Sequence, residues 1–167
     1  MITLAFFFLL RPGEYTDSSL ESTPFILADT QVFIGDRHIS PLTSSTVDIG
    51  NATFVSLTFT TQKNGVHGEV IGLGRSRDNT LCPVQALTCR IIHLRTNHAA
   101  PTTPLARAFY QGQWHSITPS MITSTIKLAV TMLGPSLGFL ATDVSARCLR
   151  AAGANALLCA NIDGDII

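Results

Sequence analysis

The chain has 167 residues, of which 46% are apolar and 13% charged, and this composition excludes a disordered protein. Eleven basic and eleven acidic side chains leave no net charge, so the total charge does not favour nucleic-acid binding. The charges are unevenly spread: residues 1–59 carry two basic and six acidic side chains, and residues 60–110 carry six basic and two acidic ones. Nine of the eleven basic residues are arginine, which suits phosphate oxygens, although composition alone is equally consistent with no such role.

The length predicts a single domain, residues 1–167, that begins with a buried helix. Met1 to Leu10 is apolar on all sides, as expected for a helix in the core. This run has no basic segment before it and no small-residue cleavage site, and it is too short to cross a bilayer. A degenerate signal segment is the alternative. Pro12 then predicts the first turn of a second, short helix.

A small antiparallel sheet is predicted in the first half of the chain. Residues 23–43 combine short apolar runs with turn residues, which is typical of short strands. Apolar and polar residues alternate from Val55 to Thr60, the pattern of a half-buried strand. Asn64-Gly65 is a strong hairpin signal, with Lys63 beside it and the returning strand at residues 70–73.

Helices dominate the predicted second half. Residues 83–97 predict a helix with one apolar face, and residues 105–114 predict a short extended segment. A helix is expected from Pro119 to about Leu133, where Gly134-Pro135 and then Gly138 should break it. A last helix, capped by Asp143 or Ser145 and rich in small residues, is expected to reach Cys159 and to pack closely on its neighbours. The predicted fold class is therefore α+β, mainly α, with a small antiparallel sheet.

Metal ligands are not grouped in the sequence. The cysteines lack the C-x-x-C spacing of a zinc site and are expected to be free, buried thiols. The carboxylates are scattered, and Asn161 to Asp165 is a poor match to a calcium-binding loop. We therefore expect no metal ion and no other cofactor. The four cysteines are Cys82, Cys89, Cys148 and Cys159.

Three basic residues stand in contexts that suggest an anion-binding site. Arg11 follows the first apolar helix, Lys63 lies beside the hairpin turn, and Arg150 lies in a helix rich in small residues. A buried guanidinium there would need an anionic partner. The best candidate is a phosphodiester, because its chemistry needs charge stabilisation and the clustered carboxylates of a metal-dependent enzyme are lacking.

In these motifs the chain resembles the catalytic domain of tyrosine recombinases, the phage-integrase family, and most of all its divergent members in eukaryotic mobile elements. That family has an Arg-x-x-Glu step after an apolar helix, which Arg11-Pro12-Gly13-Glu14 matches, and a lysine on a β-hairpin, the place of Lys63. Its second box reads His-x-x-Arg at a helix start, and the matching residues here are Arg147-Cys148-Leu149-Arg150. The resemblance extends over nearly the whole chain and depends on the order and spacing of these short motifs.

The resemblance implies that Arg11 and Arg150 hold the non-bridging oxygens of the scissile phosphate and that Lys63 is the general acid for the leaving 5′-hydroxyl. Glu14 would hold Arg11 in place, and Lys127 would contact a phosphate from a helix that borders the DNA. The implied fold is the helical recombinase catalytic domain, with double-stranded DNA as partner, no cofactor and no membrane association. It also implies an intracellular protein, nuclear in a eukaryotic host. Assembly of several copies on DNA is left open.

Two departures from the family matter. Arg147 replaces the histidine of the second box, and an arginine can donate hydrogen bonds to phosphate but cannot accept a proton near neutral pH. The nucleophilic tyrosine of the family should follow Arg150 at a greater distance than the sequence extends, and Tyr15 and Tyr110 lie in other segments. We therefore expect a truncated domain that does not form the covalent intermediate by itself. A tyrosine supplied in trans, as in some family members, is left open.

Two further functions are compatible with the sequence. A non-catalytic DNA-binding remnant predicts salt-sensitive DNA affinity without cleavage. An unrelated helical interaction module, with arginines in surface ion pairs, predicts no DNA affinity. In that case Arg11 would be a cation at a helix C-terminus, Lys63 an exposed hairpin lysine, and Arg147 the ion-pair partner of Asp143.

Overall fold

The computed structural model describes residues 1–17, 23–60, 68–78, 80–138 and 140–162. The structure is 44% helical and 21% strand, with more helix than strand and a small antiparallel sheet, which is consistent with the predicted α+β class. In chain order the elements are α1 (Ile2–Phe7), α2 (Pro12–Tyr15), β1 (Thr30–Ile34), β2 (Arg37–Ile39), α3 (Thr46–Gly50), β3 (Phe54–Phe59), β4 (Glu69–Gly74), α4 (Pro83–Thr96), β5 (Arg107–Tyr110), β6 (Gln113–Ser116), α5 (Pro119–Leu137) and α6 (Cys148–Cys159).

Four of the strands form an antiparallel sheet in the order β2-β1-β3-β4. The apolar residues of the alternation predicted in β3, Val55, Leu57 and Phe59, are buried, but Ser56 is also buried, so the strand is not exposed on its polar face there. β3 pairs with β4 from Phe54 opposite Gly74 to Phe59 opposite Glu69, so the two strands are joined as a hairpin requires. The predicted turn with Lys63 lies outside the described residues.

The longest predicted apolar face is confirmed in α4. Its residues at positions 84, 87, 91 and 94 are fully buried and pack in the core against the four-stranded sheet. Pro83 occupies the first turn, where a missing N–H costs nothing. Cys82 precedes it, and its Sγ accepts a hydrogen bond from the Gln85 N–H at 3.4 Å, so a thiol caps this helix.

The expectation of buried thiols is wrong for half of the cysteines. All four are free, but Cys89 and Cys159 are exposed, and Cys148 is partly exposed. Cys89 lies on α4 opposite the apolar face, and Cys159 is the last residue of α6. The sequence around a cysteine does not show which helix face it occupies once that face is only partly covered.

The first helix is shorter and less buried than predicted. It ends at Phe7 rather than Leu10, because Leu9 adopts a left-handed conformation with φ 53°. Leu4, Ala5 and Phe8 are buried, whereas Phe6 and Phe7 on the other side are half-buried. The run is apolar on all sides, but only one side faces the core.

Two other boundaries differ from the prediction. Residues 105–114 do not form one extended segment; β5 and β6 form a hairpin that turns at Gln111 and Gly112, both with positive φ. The helix α5 continues past Gly134-Pro135 to Leu137 and ends at Gly138, whose φ of 74° gives a left-handed C-cap. Ile122 and Val130 are buried in α5, whereas Ala129 is exposed.

The close packing predicted for the last helix is observed at Gly153. α6 packs against α1, and a Cβ on Gly153 would collide with the Phe6 carbonyl oxygen and lie 2.6 Å from Leu9 Cδ2. The glycine therefore lets the two backbones approach. Ala151 and Ala152, which precede it, are exposed. None of the described helices combines the length and the apolar character that crossing a bilayer requires.

Gly153→Ala should lower the free energy of unfolding by about 1–3 kcal/mol, because the methyl group forces α6 away from α1. Urea denaturation followed by circular dichroism measures the change. Gly50→Ala is the matched control, since no atom lies within 4 Å of its Cβ position. That variant should be neutral or stabilising by up to about 1 kcal/mol. Equal destabilisation by both substitutions would contradict the close approach at Gly153.

Candidate functional site

Arg11 and Glu14 form a joined pair at the start of α2. Arg11 holds the N-cap position, so the alternative of a cation at the C-terminus of the first helix is wrong. The Glu14 Oε2 accepts a hydrogen bond from the Arg11 backbone N–H at 2.6 Å, and its Oε1 lies 3.7 Å from the Arg11 Nη1. Glu14 thus fixes both the backbone and the guanidinium of Arg11, in agreement with the supporting role that the sequence predicts for it.

A buried hydrogen bond joins this segment to the other end of the chain. The Tyr15 Oη donates to the Ala146 carbonyl oxygen at 2.9 Å, across 131 positions of sequence. Tyr15 is 0% exposed and Ala146 3% exposed, so the bond lies in the core. Tyr15 follows Arg11 by four residues and Ala146 directly precedes Arg147, so the two predicted arginine boxes meet here.

Arg147 and Arg150 occupy the first turn of α6. Arg147 is at the N-cap position and Arg150 two residues after Cys148, three apart and therefore on one helix face. Both are exposed, which corrects the prediction that Arg150 is buried among small residues. The predicted caps are also wrong: Asp143 ends a separate short 3-10 turn, where it accepts from the Leu140 N–H at 2.9 Å.

The first turn of α6 carries positive charge that no nearby acidic side chain among the described residues offsets. Within the described ranges neither Arg147 nor Arg150 forms an ion pair, including the one considered with Asp143. The first turn of α6 also has no acidic residue. Positive charges are unfavourable at a helix N-terminus, whose dipole is itself positive, so an anion bound here would relieve the repulsion.

A second hydrogen bond brings α5 to the same point. The Ala146 N–H donates to Thr123 Oγ1 at 3.0 Å. Lys127 follows Thr123 by one helical turn, and its side chain is exposed. We call the contact of Tyr15, Thr123 and Ala146 the Ala146 junction. The structure thus gathers at this junction the segments that carry Arg11, Lys127, Arg147 and Arg150, whereas Lys63 lies outside the described residues.

Sequence reasoning missed one ionic contact beside this junction. The Asp17 carboxylate lies 2.6 Å from Arg107 Nε and accepts from the Ser116 hydroxyl at 2.7 Å. It ties the segment after α2 to the β5–β6 hairpin. A lone aspartate and a lone arginine ninety positions apart carry no sequence signal for such a pair.

The hairpin is held on its other side by α4. His93 Nε2 accepts a hydrogen bond from the Phe109 N–H at 3.0 Å, and the Arg90 Nε donates to the Leu105 carbonyl oxygen. Burial lowers the pKa of His93, and the nearby Arg90 charge lowers it further. Burial also lowers the pKa of Arg90, to about 10, so its guanidinium stays charged at neutral pH. These two residues act as supports for the hairpin.

Metal chemistry gains no support from the described part of the chain, where no three His, Cys, Asp or Glu side chains are grouped closely enough to hold an ion. The residues gathered at the Ala146 junction are cations and hydroxyls, apart from Glu14, which is engaged with Arg11. Such donors bind anions rather than metal ions.

Comparisons with known proteins do not assign a family. No family model matches the chain, and no match was found among curated proteins or solved structures. The resemblance to tyrosine recombinases therefore stays a prediction.

Acidification should destabilise the protein through His93. The unfolded histidine has its ordinary pKa near 6.5, and the folded one a lower pKa. As the pH is lowered below about 6.5, the unfolded state therefore becomes protonated at His93 before the folded state does. The free energy of unfolding should decrease as the pH decreases through this range. Urea denaturation at about pH 7.5 and about pH 5.5 measures the loss.

Two variants assign the effect to this residue. His93→Gln should show a smaller loss between the two pH values, because it removes the titrating group. His115→Gln, at an exposed position of β6, should keep the wild-type pH dependence. Identical behaviour of the two variants would show that His93 is not the group responsible.

Proposed function

We propose that this chain binds the phosphodiester backbone of double-stranded DNA through Arg11, Arg147 and Arg150, as the phosphate-binding part of a tyrosine recombinase catalytic domain. Such domains break and rejoin DNA strands without a metal ion. The proposal includes the finer fold assignment, a helical recombinase domain with its small antiparallel sheet. Lys127 on α5 would add a phosphate contact, and Lys63 would act as general acid.

The observation that carries the proposal is the buried hydrogen bond from Tyr15 to Ala146. This bond joins the segment that carries the Arg-x-x-Glu step to the segment that carries the Arg-x-x-Arg box, and a shared phosphate site would need that proximity. Here the first box ends one residue before Tyr15, and the second begins one residue after Ala146. The proximity of these two segments supports the proposal of a shared phosphate site.

Electrostatics support the same site. Arg147 and Arg150 lie at the N-terminal end of α6, where the helix dipole adds further positive potential, and Arg11 precedes the single turn of α2. Helix N-termini combined with arginine are a common arrangement for phosphate oxygens, because backbone N–H groups and the guanidinium fork donate together. Glu14 holds Arg11 but neutralises only one of the three charges.

The chain's own tyrosines are unsuited to the role of nucleophile. Tyr15 is fully buried, and its hydroxyl donates to the Ala146 carbonyl. Burial raises the pKa of Tyr15 to about 12, which makes the reactive phenolate scarce at neutral pH. Tyr110 is 64% exposed at the end of β5, in the second hairpin. The proposed role of this chain is thus to hold the phosphate, with attack assigned to a tyrosine from outside it.

Arg11→Ala combined with Arg150→Ala should weaken duplex binding strongly. Each lost charged hydrogen bond is worth about 1.5–3 kcal/mol. Fluorescence anisotropy with a labelled duplex over a range of salt concentrations measures both affinity and salt dependence. Because each phosphate contact contributes about 0.9 to the slope of log affinity against log salt, the double variant should have a slope shallower by about 1.8.

Arg37→Ala is the control for the loss of one arginine, to be compared with Arg11→Ala and Arg150→Ala measured singly. Arg37 is an exposed arginine of β2 paired with Asp48 at 3.8 Å, and its loss should change the slope little. A salt-sensitive affinity that falls equally in all variants would indicate nonspecific attraction rather than a site. Absence of duplex affinity in the wild type would favour the interaction-module alternative. A nicked suicide substrate, assayed with a longer chain, would separate a recombinase from a non-catalytic remnant.

A further inference from the structure

The backbone of Ala146 is held from two sides by side chains of different elements. Its carbonyl oxygen accepts from Tyr15 Oη of α2, and its N–H donates to Thr123 Oγ1 of α5. Tyr15 and Thr123 are 131 and 23 positions away in sequence. Ala146 itself is buried, so water does not replace either partner freely.

The residues that follow belong to α6, which packs on α1 at Gly153, while the Ala146 backbone holds the N-terminal end of this helix. Arg147 occupies the N-cap position of α6 without a side-chain hydrogen bond of a cap. The guanidinium groups of Arg147 and Arg150 are exposed and form no ion pair with the described residues. Near them, the Ser145 N–H donates a weak hydrogen bond to Cys148 Sγ at 3.4 Å. The two hydrogen bonds of Ala146 thus hold the end of α6 from which both arginines project.

We propose that Tyr15 and Thr123 are positioning residues that set Arg147 and Arg150 against Arg11 and thereby determine the affinity for DNA phosphates. This inference rests on the proposed function and adds to it the device that assembles the site. Tyr15 ties the second arginine box to the first, and Thr123 ties it to α5. Lys127 lies one turn from Thr123. The hydrogen bond between Thr123 and Ala146 would therefore also fix the position of Lys127 relative to the two arginines of α6.

The hydroxyl groups are suited to a fixed role. Tyr15 stays protonated at neutral pH because burial raises its pKa to about 12, so it remains a donor to the Ala146 carbonyl. Thr123 has a β-branched side chain with few rotamers, which keeps its Oγ1 in place with little loss of entropy. Either hydroxyl can be removed at nearly constant shape, by Tyr15→Phe or Thr123→Val.

The experiment measures duplex affinity, its salt dependence and the free energy of unfolding for each variant. Thr123→Val and Tyr15→Phe should each weaken binding by about tenfold, the equivalent of about 1.4 kcal/mol. The slope of log affinity against log salt should become shallower by up to about 0.9 per displaced arginine. Thr123→Ser keeps the hydroxyl and should restore both quantities.

Thr125→Val is the matched control. Thr125 Oγ1 donates to the Met121 carbonyl within α5 at 2.9 Å and is exposed, so its loss also removes one hydroxyl and one hydrogen bond from this helix. Affinity and salt slope should stay at the wild-type values in this variant. If Thr123 has a purely structural role, Thr123→Val should also bind DNA like the wild type when folded, and only its free energy of unfolding should be lower. That result would overturn the inference.

A double-mutant cycle tests whether Thr123 acts through the arginines. In an Arg147→Ala plus Arg150→Ala background, Thr123→Val should cause no further loss of affinity, because nothing is left to position. Additive losses would overturn the inference even if Tyr15→Phe proves too unstable to measure. If the arginine substitutions alone leave duplex binding unchanged, the proposed function itself is wrong. That outcome is distinct from failure of the positioning inference.

Discussion

The hydrogen bond between Tyr15 and Ala146 is the constraint on which the arrangement of the molecule depends. A phenol hydroxyl buried without an acceptor costs several times what a made hydrogen bond contributes, so once Tyr15 enters the core it must find a partner. Its acceptor is a backbone carbonyl at the far end of the chain. This requirement brings α2 against the start of α6, and Thr123 brings α5 to the same residue.

Charge placement follows from that geometry. Arg147 and Arg150 occupy the start of α6, where the helix dipole disfavours cations, whereas Arg11 at the start of α2 is held by Glu14. Elsewhere the fold treats its arginines differently: Arg75 donates to the Ala52 and Gly50 carbonyls, and Arg95 donates to the Ser44 carbonyl. Those two stabilise the backbone, whereas the pair on α6 has no acceptor within the described residues. An electrostatically unfavourable arrangement that the fold does not relieve is what an anion-binding site needs.

Much of the fold could be predicted from hydrophobic periodicity, but the junction could not. The apolar face of α4 and the alternation of β3 are strong patterns because each spans several repeats of one period. The end of α5 was misplaced because Gly134-Pro135 is a local signal that tertiary context overrode. The boxes around Arg11 and Arg150 were visible as short motifs. Their meeting at Ala146 was not, since a backbone acceptor leaves no trace in the identity of its residue.

The exposed apolar side chains of α5 are the feature that favours the rival reading, a helical interaction module. They lie between 53% and 76% exposed: Met121, Leu128, Met132 and Leu133. An apolar helix face is compatible with either function, because a DNA-binding domain also needs contacts with other domains or copies. The two functions differ in what they expect of the arginines, since the rival assigns them to surface ion pairs such as that of Arg37 with Asp48. Arg147 and Arg150 lack such a partner throughout the described ranges, so these cations, rather than the apolar face of α5, are the residues at which the two functions make different predictions.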